Sequence, residues 1–515
     1  MMKDSPSKKP AWDFHPAVFL TSAIIIILAV VIGLIYIGQN SAEQAEQLFS
    51  SLKTTMSNAT GWFFILSVNI FLILVLYIGF SKYGNIRIGG KEAQPEFSRL
   101  SWFAMLFSAG MGIGLVFWSV AEPISHYNSP PVAEAETALA AREAMTYTFF
   151  HWGFHAWGIY ALVGLAIAYA CFNLKQPLTI RSTFYPLLGD KVHGPLGNLI
   201  DILAVVATLF GVATSLGLGV QQVNAGLNHL WNVEEGVSTQ ILLIIGITGI
   251  ATISVVSGVN NGIRKLSTLN MVMAALLLLS VLVFGPSLFL LDALVQNIGD
   301  YAQKLPALST WTEAYADTDW QNGWTIFYWA WWIAWSPFVG MFIARISKGR
   351  TVREFVTCVL LVPSLLGILW LGIFGNAALH QELLAEGGVA TAVHDNNAVA
   401  IFALLENYSM AGMTSGLAIL VVVTFFITSS DSGSLVIDII TAGGKTDPPV
   451  KQRIFWAVLE GLVAAVLLIG GGLLALQTAS ILTGLPFAFV LLGMGVCLLK
   501  GLISHTTKSK NKPDT

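Results

Sequence analysis

Hydrophobic residues along this chain gather into twelve blocks separated by short polar stretches. The blocks lie near 16–38, 60–80, 100–123, 145–172, 198–228, 239–257, 267–291, 323–345, 354–377, 410–440, 453–475 and 480–499. About 20 apolar residues at a rise of about 1.5 Å each cross a hydrocarbon core of about 30 Å, so the pattern predicts twelve transmembrane helices. The cationic residues test that count. With both termini in the cytoplasm, every Lys and Arg except Lys53, Arg142 and Lys304 falls on the inner side, including the cluster Arg345, Lys348, Arg350 and Arg353. That asymmetry is the positive-inside bias of a multi-pass protein. The outer loops carry acids such as Glu134, Glu136, Glu234 and Asp319, which ordinary solvation explains.

Residues 1–15 then form an inner tail, 16–99 two leading helices, and 100–291 a first group of five. Residues 292–322 form an external loop long enough for an amphipathic helix. A second group of five occupies 323–500, and 501–515 is a short inner tail.

Two blocks contain helix breakers. Ser108 to Gly114 carries Gly110, Gly112 and Gly114 at every second position in mid-span. A Gly-x-x-x-Gly packing face accounts for Gly110 and Gly114 but not for Gly112, so local unwinding is the expectation. Pro337 cannot donate to the carbonyl of Ile333, and a break is expected at Ser336–Pro337. These are the third and eighth blocks, the first helices of the two groups of five. Interruptions at corresponding positions point to a transporter's binding site.

Aromatic residues mark the same depth. Tyr328, Trp331, Trp332 and Trp335 are spaced i, i+3, i+4 and i+7, one stripe on one helical face. Trp332 precedes Arg345 by about 20 Å of helix, deep in the core and away from the interfacial belt where indoles gather. In the fourth block a single helix would set Tyr160 between Trp152 and Trp157, about 80° from one and about 60° from the other. Core packing explains any one of these rings. Two clusters beside two breakers suit a cage for a quaternary ammonium, which offers no hydrogen bond and is held by cation–π attraction. Free N–H groups of an unwound Gly110–Gly114 segment would suit a carboxylate on the same substrate. In the tenth block, Thr428-Ser429-Ser430-Asp431-Ser432 offers oxygen ligands for a hard cation, or hydroxyls back-bonded to the preceding turn. Asp431 is an intramembrane carboxylate and a functional candidate. Glu122, beside Pro123 and near a block end, reads as structural.

Composition narrows the classes. Of 515 residues, 55% are hydrophobic and 11% charged, with mean hydropathy +0.71, which excludes a water-soluble fold. Cys171, Cys358 and Cys497 lie in or beside apolar blocks, so no disulfide framework is expected. The first apolar block lacks a cleavage site and reads as a retained helix. No nucleic-acid partner is implied. A channel would need a polar pore or charged rings. An enzyme would need a nucleophile with its base, and Ser429 to Ser432 lack a nucleophile elbow. His151 and His155 have zinc-ligand spacing, a weak signal alone.

The stretches SAGMGIGLVFWSVAEP, HWGFHAWGIY, TLFGVATSLGLG, YWAWWIAWSPFVGMFIARISKGRTVREF and FFITSSDSGS resemble, in order, the betaine/choline/carnitine transporter family. The resemblance implies an all-α polytopic membrane protein of LeuT-like fold. Helices 3–12 would form a five-plus-five inverted repeat behind two extra helices, assembled as a homotrimer in the plasma (inner) membrane of a prokaryote. It implies a betaine cage of Trp152, Trp157, Tyr160 and Trp332, with Trp331 and Trp335 on the same path. Gly110, Met111, Gly112 and Gly114 would face the substrate carboxylate. Na⁺ would be the coupling ion, with no other cofactor. One sodium site would use the hydroxyls of Thr428 and Ser429 with backbone oxygens near Ser108, Met111 and Phe425. A second would use Thr208 and the face of Phe338, but the family's second threonine one turn later is Val212 here. Choline members carry an aspartate at the position of Gly114, and carnitine exchangers use a cationic side chain in place of sodium. The implied activity is sodium symport of glycine betaine, or of ectoine, proline or dimethylsulfoniopropionate, by alternating access. Proton-coupled choline uptake and sodium-independent carnitine/betaine exchange are the alternatives. The short C-terminal tail argues against strong osmotic self-regulation.

Overall fold

The computed structural model describes residues 12–110, 112–256, 260–316 and 318–510, and among them the regular structure is helical. The chain opens with α1 (Pro16–Gln39) and α2 (Ala42–Phe80), followed by α3 (Arg99–Gly110), α4 (Ile113–Asn128), α5 (Ala138–Trp152) and α6 (Phe154–Ala168). A short α7 (Tyr185–Leu188) leads into α8 (Pro195–Trp231), α9 (Val237–Val256), α10 (Asn260–Phe284) and α11 (Ser287–Ser309). The second half holds α12 (Trp320–Gly323), α13 (Thr325–Ile346), α14 (Val352–Leu384), α15 (Val389–Asp395), α16 (Ala400–Glu406), α17 (Ala411–Thr441) and α18 (Val450–Lys510).

Nine helical stretches among the described residues are long and apolar enough to cross a bilayer. Each of the twelve apolar blocks falls on helix, but the helices divide differently from the blocks. The third block is α3 plus α4, and the last two blocks share α18. Gly472 divides α18 with φ 54° and ψ −132°, a left-handed backbone that favours glycine. The seventh block runs past the end of α10. Gly285–Pro286 stops that helix because proline supplies no N–H, and the amphipathic helix predicted within 292–322 already begins at Ser287.

The packing is reciprocal between the two groups of five. α3 and α4 pack on α14, and α13 packs on α6. α4 packs on α17, and α13 on α8. α10 packs on α17 and α14, as the C-terminal half of α18 packs on α8 and α6, with Leu476 against Gly217 and Gly495 against Leu162. Exchanging the groups preserves these neighbours, as a five-plus-five repeat requires. α2 lies outside, against α6, α14 and α18.

The expected break at Ser336–Pro337 does not occur. α13 runs unbroken through Pro337. The carbonyl of Ile333, which loses its normal donor to proline, accepts from Ser336 Oγ at 2.7 Å. A serine hydroxyl re-satisfying a proline-freed carbonyl keeps a membrane helix intact. The unpredicted break is in the fourth block, where Gly153 (φ −91°, ψ −138°) separates α5 from α6.

α11 is docked by polar contacts to α5. Asp300 accepts two hydrogen bonds from the Arg142 guanidinium, and Lys304 Nζ donates to Glu143 at 2.8 Å. The Arg142 hydrogen bonds hold the Asp300 carboxyl below its ordinary value. A depressed carboxyl stabilises the fold fully above its unfolded value of about 4 and loses that contribution as pH falls through the lower folded value. Asp300→Asn is therefore expected to lower the thermal midpoint of the detergent-solubilised protein at neutral pH. Midpoints of variant and wild type should converge in acid, read by a pH series of melting curves.

Candidate substrate site

Backbone interruptions build this site. α3 ends at Gly110 and α4 starts at Ile113, with Gly112 extended at φ −155° and ψ −176°. The predicted unwinding of the third block is present. The start of a helix leaves its first N–H groups without intrahelical partners, here those of Ile113 and Gly114. Met111 lies outside the described residues.

The second interruption turns α5 into α6 and opens backbone groups at both ends. The carbonyl of His151 accepts Trp332 Nε1–H at 2.9 Å, and the N–H of Phe154 donates to Tyr301 Oη at 3.1 Å. A Cβ on Gly153 would stand 2.4 Å from Tyr301 Oη and 2.6 Å from the Phe149 oxygen, so only glycine fits this crossing. The consequence for the site is direct. Trp152 ends one helix while Trp157 and Tyr160 stand on the next, so the angles expected for one continuous helix do not apply across the break.

The six predicted aromatic residues are all buried. Trp152 meets Trp332 at 4.9 Å and 72°, Tyr160 meets Trp332 at 6.2 Å and 75°, and Trp157 meets Tyr160 at 5.3 Å and 73°. Rings set near right angles pack edge to face and do not stack. Trp331 differs. Phe327 covers one side at 5.5 Å and 13°, and Trp332 stacks on it at 4.8 Å and 15°. It supports Trp332 and turns its edge to Gly114. Trp335 packs its edge on Phe338 at 5.3 Å and lies beside Gly112 and Gly211. The α4 N-terminus is thus brought to the aromatic stripe of α13. Tyr160 Oη and Trp335 Nε1 are buried without a hydrogen-bond partner among the described residues. Unpaired buried donors are costly and call for explanation, and a polar ligand is one.

A family model described as BCCT, betaine/carnitine/choline family transporter, matches residues 17–507. The chain belongs to this family. An uncharacterised transporter of Mycobacterium tuberculosis is 48% identical, over 93% of this chain and 81% of its own length. A glycine betaine/proline/choline transporter of Vibrio parahaemolyticus is 46% identical over 97% of this chain and 93% of its own. A glycine betaine transporter of Acinetobacter baylyi is 45% identical over 96% and 74%. The chain is thus a multi-pass membrane transporter with bacterial relatives.

The oxygens predicted to take sodium sit on packed helices. Thr428 Oγ1 donates to the Thr424 and Phe425 carbonyls at 3.0 and 3.2 Å and accepts from Asn270 Nδ2 at 3.3 Å. Ser429 and Phe425 are buried on α17, and Ser108 is half-buried two residues before the end of α3. Thr208 is buried on α8 with its hydroxyl on the Ala204 carbonyl at 2.7 Å. Val212, one turn later, packs on Gly433 of α17, where a Cβ would meet it at 3.0 Å.

Glu122 is the residue that sequence reasoning undervalued. α4 continues to Asn128, so Glu122 lies inside the helix and is fully buried. Its Oε2 accepts Trp152 Nε1–H at 2.7 Å and Tyr328 Oη–H at 2.5 Å. Its Oε1 meets His151 Nδ1 at 2.6 Å and His126 Nε2 at 3.3 Å. The signal available in sequence was an intramembrane acid one turn before His126. His151 joins this cluster, while His155 turns to Asn69 and stacks on Trp329, so the zinc-like spacing of the two histidines brings no shared site.

A Cβ at Gly114 would lie 2.3 Å from Trp331 Cη2, whereas one at Gly112 would meet Trp335 at 3.5 Å, an ordinary contact. Gly114→Ala is expected to displace Trp331 at a cost of about 1–3 kcal/mol, seen as a lower thermal midpoint and altered tryptophan fluorescence. Gly112→Ala should leave the fluorescence near wild type.

Proposed function

We propose that this protein imports glycine betaine, or a closely related methylated zwitterion, by sodium symport with alternating access. The observation that carries this reading is the near-perpendicular meeting of Trp152 and Tyr160 with Trp332, with the Tyr160 hydroxyl left unpaired beside it. Three ring faces hold a trimethylammonium group by cation–π attraction and dispersion, without asking it for a hydrogen bond. The carboxylate takes the opened N–H groups at the start of α4, where the helix dipole favours negative charge. Trp157 extends the cage, and Trp331 and Trp335 line the way to the Gly110–Gly114 segment.

Sodium binds between α17 and the interrupted third span. The hydroxyls of Thr428 and Ser429 and the carbonyls of Phe425, Ser108 and Met111 supply the oxygen ligands a hard cation prefers. Thr208 and Phe338 are the second candidate pair, and Val212 beside them contributes no oxygen. Gly114 supports the zwitterion over choline. Choline has no carboxylate of its own, and Trp331 leaves no room at Gly114 for a balancing acid. The chain crosses the inner membrane twelve times with both ends in the cytoplasm and assembles as a homotrimer.

In proteoliposomes, labelled betaine uptake is expected under an inward Na⁺ gradient and to be lost when K⁺ replaces Na⁺. Sodium-independent uptake would overturn the coupling. Thr428→Ala should raise the Na⁺ concentration for half-maximal uptake, and an unchanged value would move the ion elsewhere. Trp332→Leu should weaken betaine binding by about 1–2 kcal/mol, the range of a desolvated cation–π contact, measured by equilibrium binding at saturating Na⁺.

A further inference from the structure

We infer that Glu122 is a positioning and specificity residue that makes the aromatic cage selective for a positively charged group. It acts without touching the substrate, through Trp152 and Tyr328. The inference rests on the betaine reading above.

The geometry concentrates four contacts on one carboxylate. An indole N–H can only donate, so the Trp152 contact at 2.7 Å identifies Oε2 as an acceptor, and the Tyr328 hydroxyl arrives at the same oxygen at 2.5 Å. His151 and His126 take the other oxygen, and His151 is held from behind by Thr325 Oγ1 at 2.9 Å. Ionised, this carboxylate can accept from all four where both histidines present an N–H to it, in a site closed to solvent.

Two consequences follow for the cage. A hydrogen bond from an indole N–H to a carboxylate is charge-assisted, and it pushes electron density back onto the ring. Cation–π attraction depends on the negative potential of the ring face, so Trp152 becomes a better wall for an ammonium. The same carboxylate polarises Tyr328, whose ring stacks on Trp332 at 5.9 Å and 28°. Glu122 also ties α4 to α5 and α13, joining the helix that opens toward the carboxylate to two of the three that carry the cage. Its charge, one indole away from the cage, favours a cationic group and does nothing for an uncharged group of equal shape.

That difference supplies the test. Glycine betaine and 3,3-dimethylbutanoate share shape and carboxylate, and differ by a quaternary nitrogen in place of a quaternary carbon. Their affinities are measured by tryptophan fluorescence on purified full-length protein at saturating Na⁺. Glu122→Gln is expected to raise the Kd for betaine about tenfold or more while changing that for the carbon analogue by less than about threefold. Equal losses for both ligands would reduce Glu122 to a structural brace and overturn the inference, as would an unchanged Kd for betaine. Glu122→Asp keeps the charge and should retain most of the preference for betaine. A folded Asp variant that binds the two ligands alike overturns the inference even where the Gln variant does not fold. Wild-type protein that binds no betaine would instead defeat the underlying reading, a result distinct from any change in preference.

Discussion

Inside a bilayer a backbone carbonyl or N–H that leaves its helix finds no water, so another part of the protein must supply its partner. The interruptions that make this site are governed by that constraint. Gly153 separates α5 from α6, and the opened groups are taken by the Trp332 indole of α13 and the Tyr301 hydroxyl of α11. Where Pro337 frees the Ile333 carbonyl, the neighbouring serine answers and the helix continues. Closing one break therefore places Trp332, because the indole that satisfies His151 is the ring that meets Trp152 and Tyr160.

The polar cluster around Glu122 works on the same helices from a second direction. Trp152 is held by Glu122 through its N–H and meets Trp332 edge to face, while Tyr328 donates to Glu122 and stacks on Trp332. Side chains held from two sides have little rotamer freedom left, the kind of preorganisation that spares a binding site the cost of ordering them. Small residues serve the same end. Gly114 and Gly112 let Trp331 and Trp335 approach the α4 start closely enough to bring aromatic faces and open N–H groups into one space.

Much of this was legible along the chain. The blocks of hydrophobicity, the charge asymmetry of the loops and the alternating glycines of the third block are local features, and the helices and the interruption between α3 and α4 follow them. The predicted aromatic residues also meet, since Trp152 and Tyr160 contact Trp332, and Trp157 contacts Tyr160. Other features were not legible. Pro337 looks like a break in any one-dimensional reading, and only the position of the Ser336 hydroxyl keeps α13 whole. Gly153 carries no stronger local signal than other glycines in apolar blocks. Its break depends on Tyr301, well over a hundred residues away in sequence.

By itself, the sequence determined the helical architecture, the family and the residue types that could hold a methylated cation, because hydrophobic length, charge placement and backbone freedom act within a few turns of chain. The tertiary structure alone decided how the rings meet. Trp331 and Trp332 are adjacent and chemically alike, yet Phe327 stacks on the first while Trp152 and Tyr160 meet the second near right angles. It also decided that Glu122 meets Trp152 and Tyr328. A carboxylate's role depends on the donors that converge on it, and those here come from α4, α5 and α13, which only folding brings together.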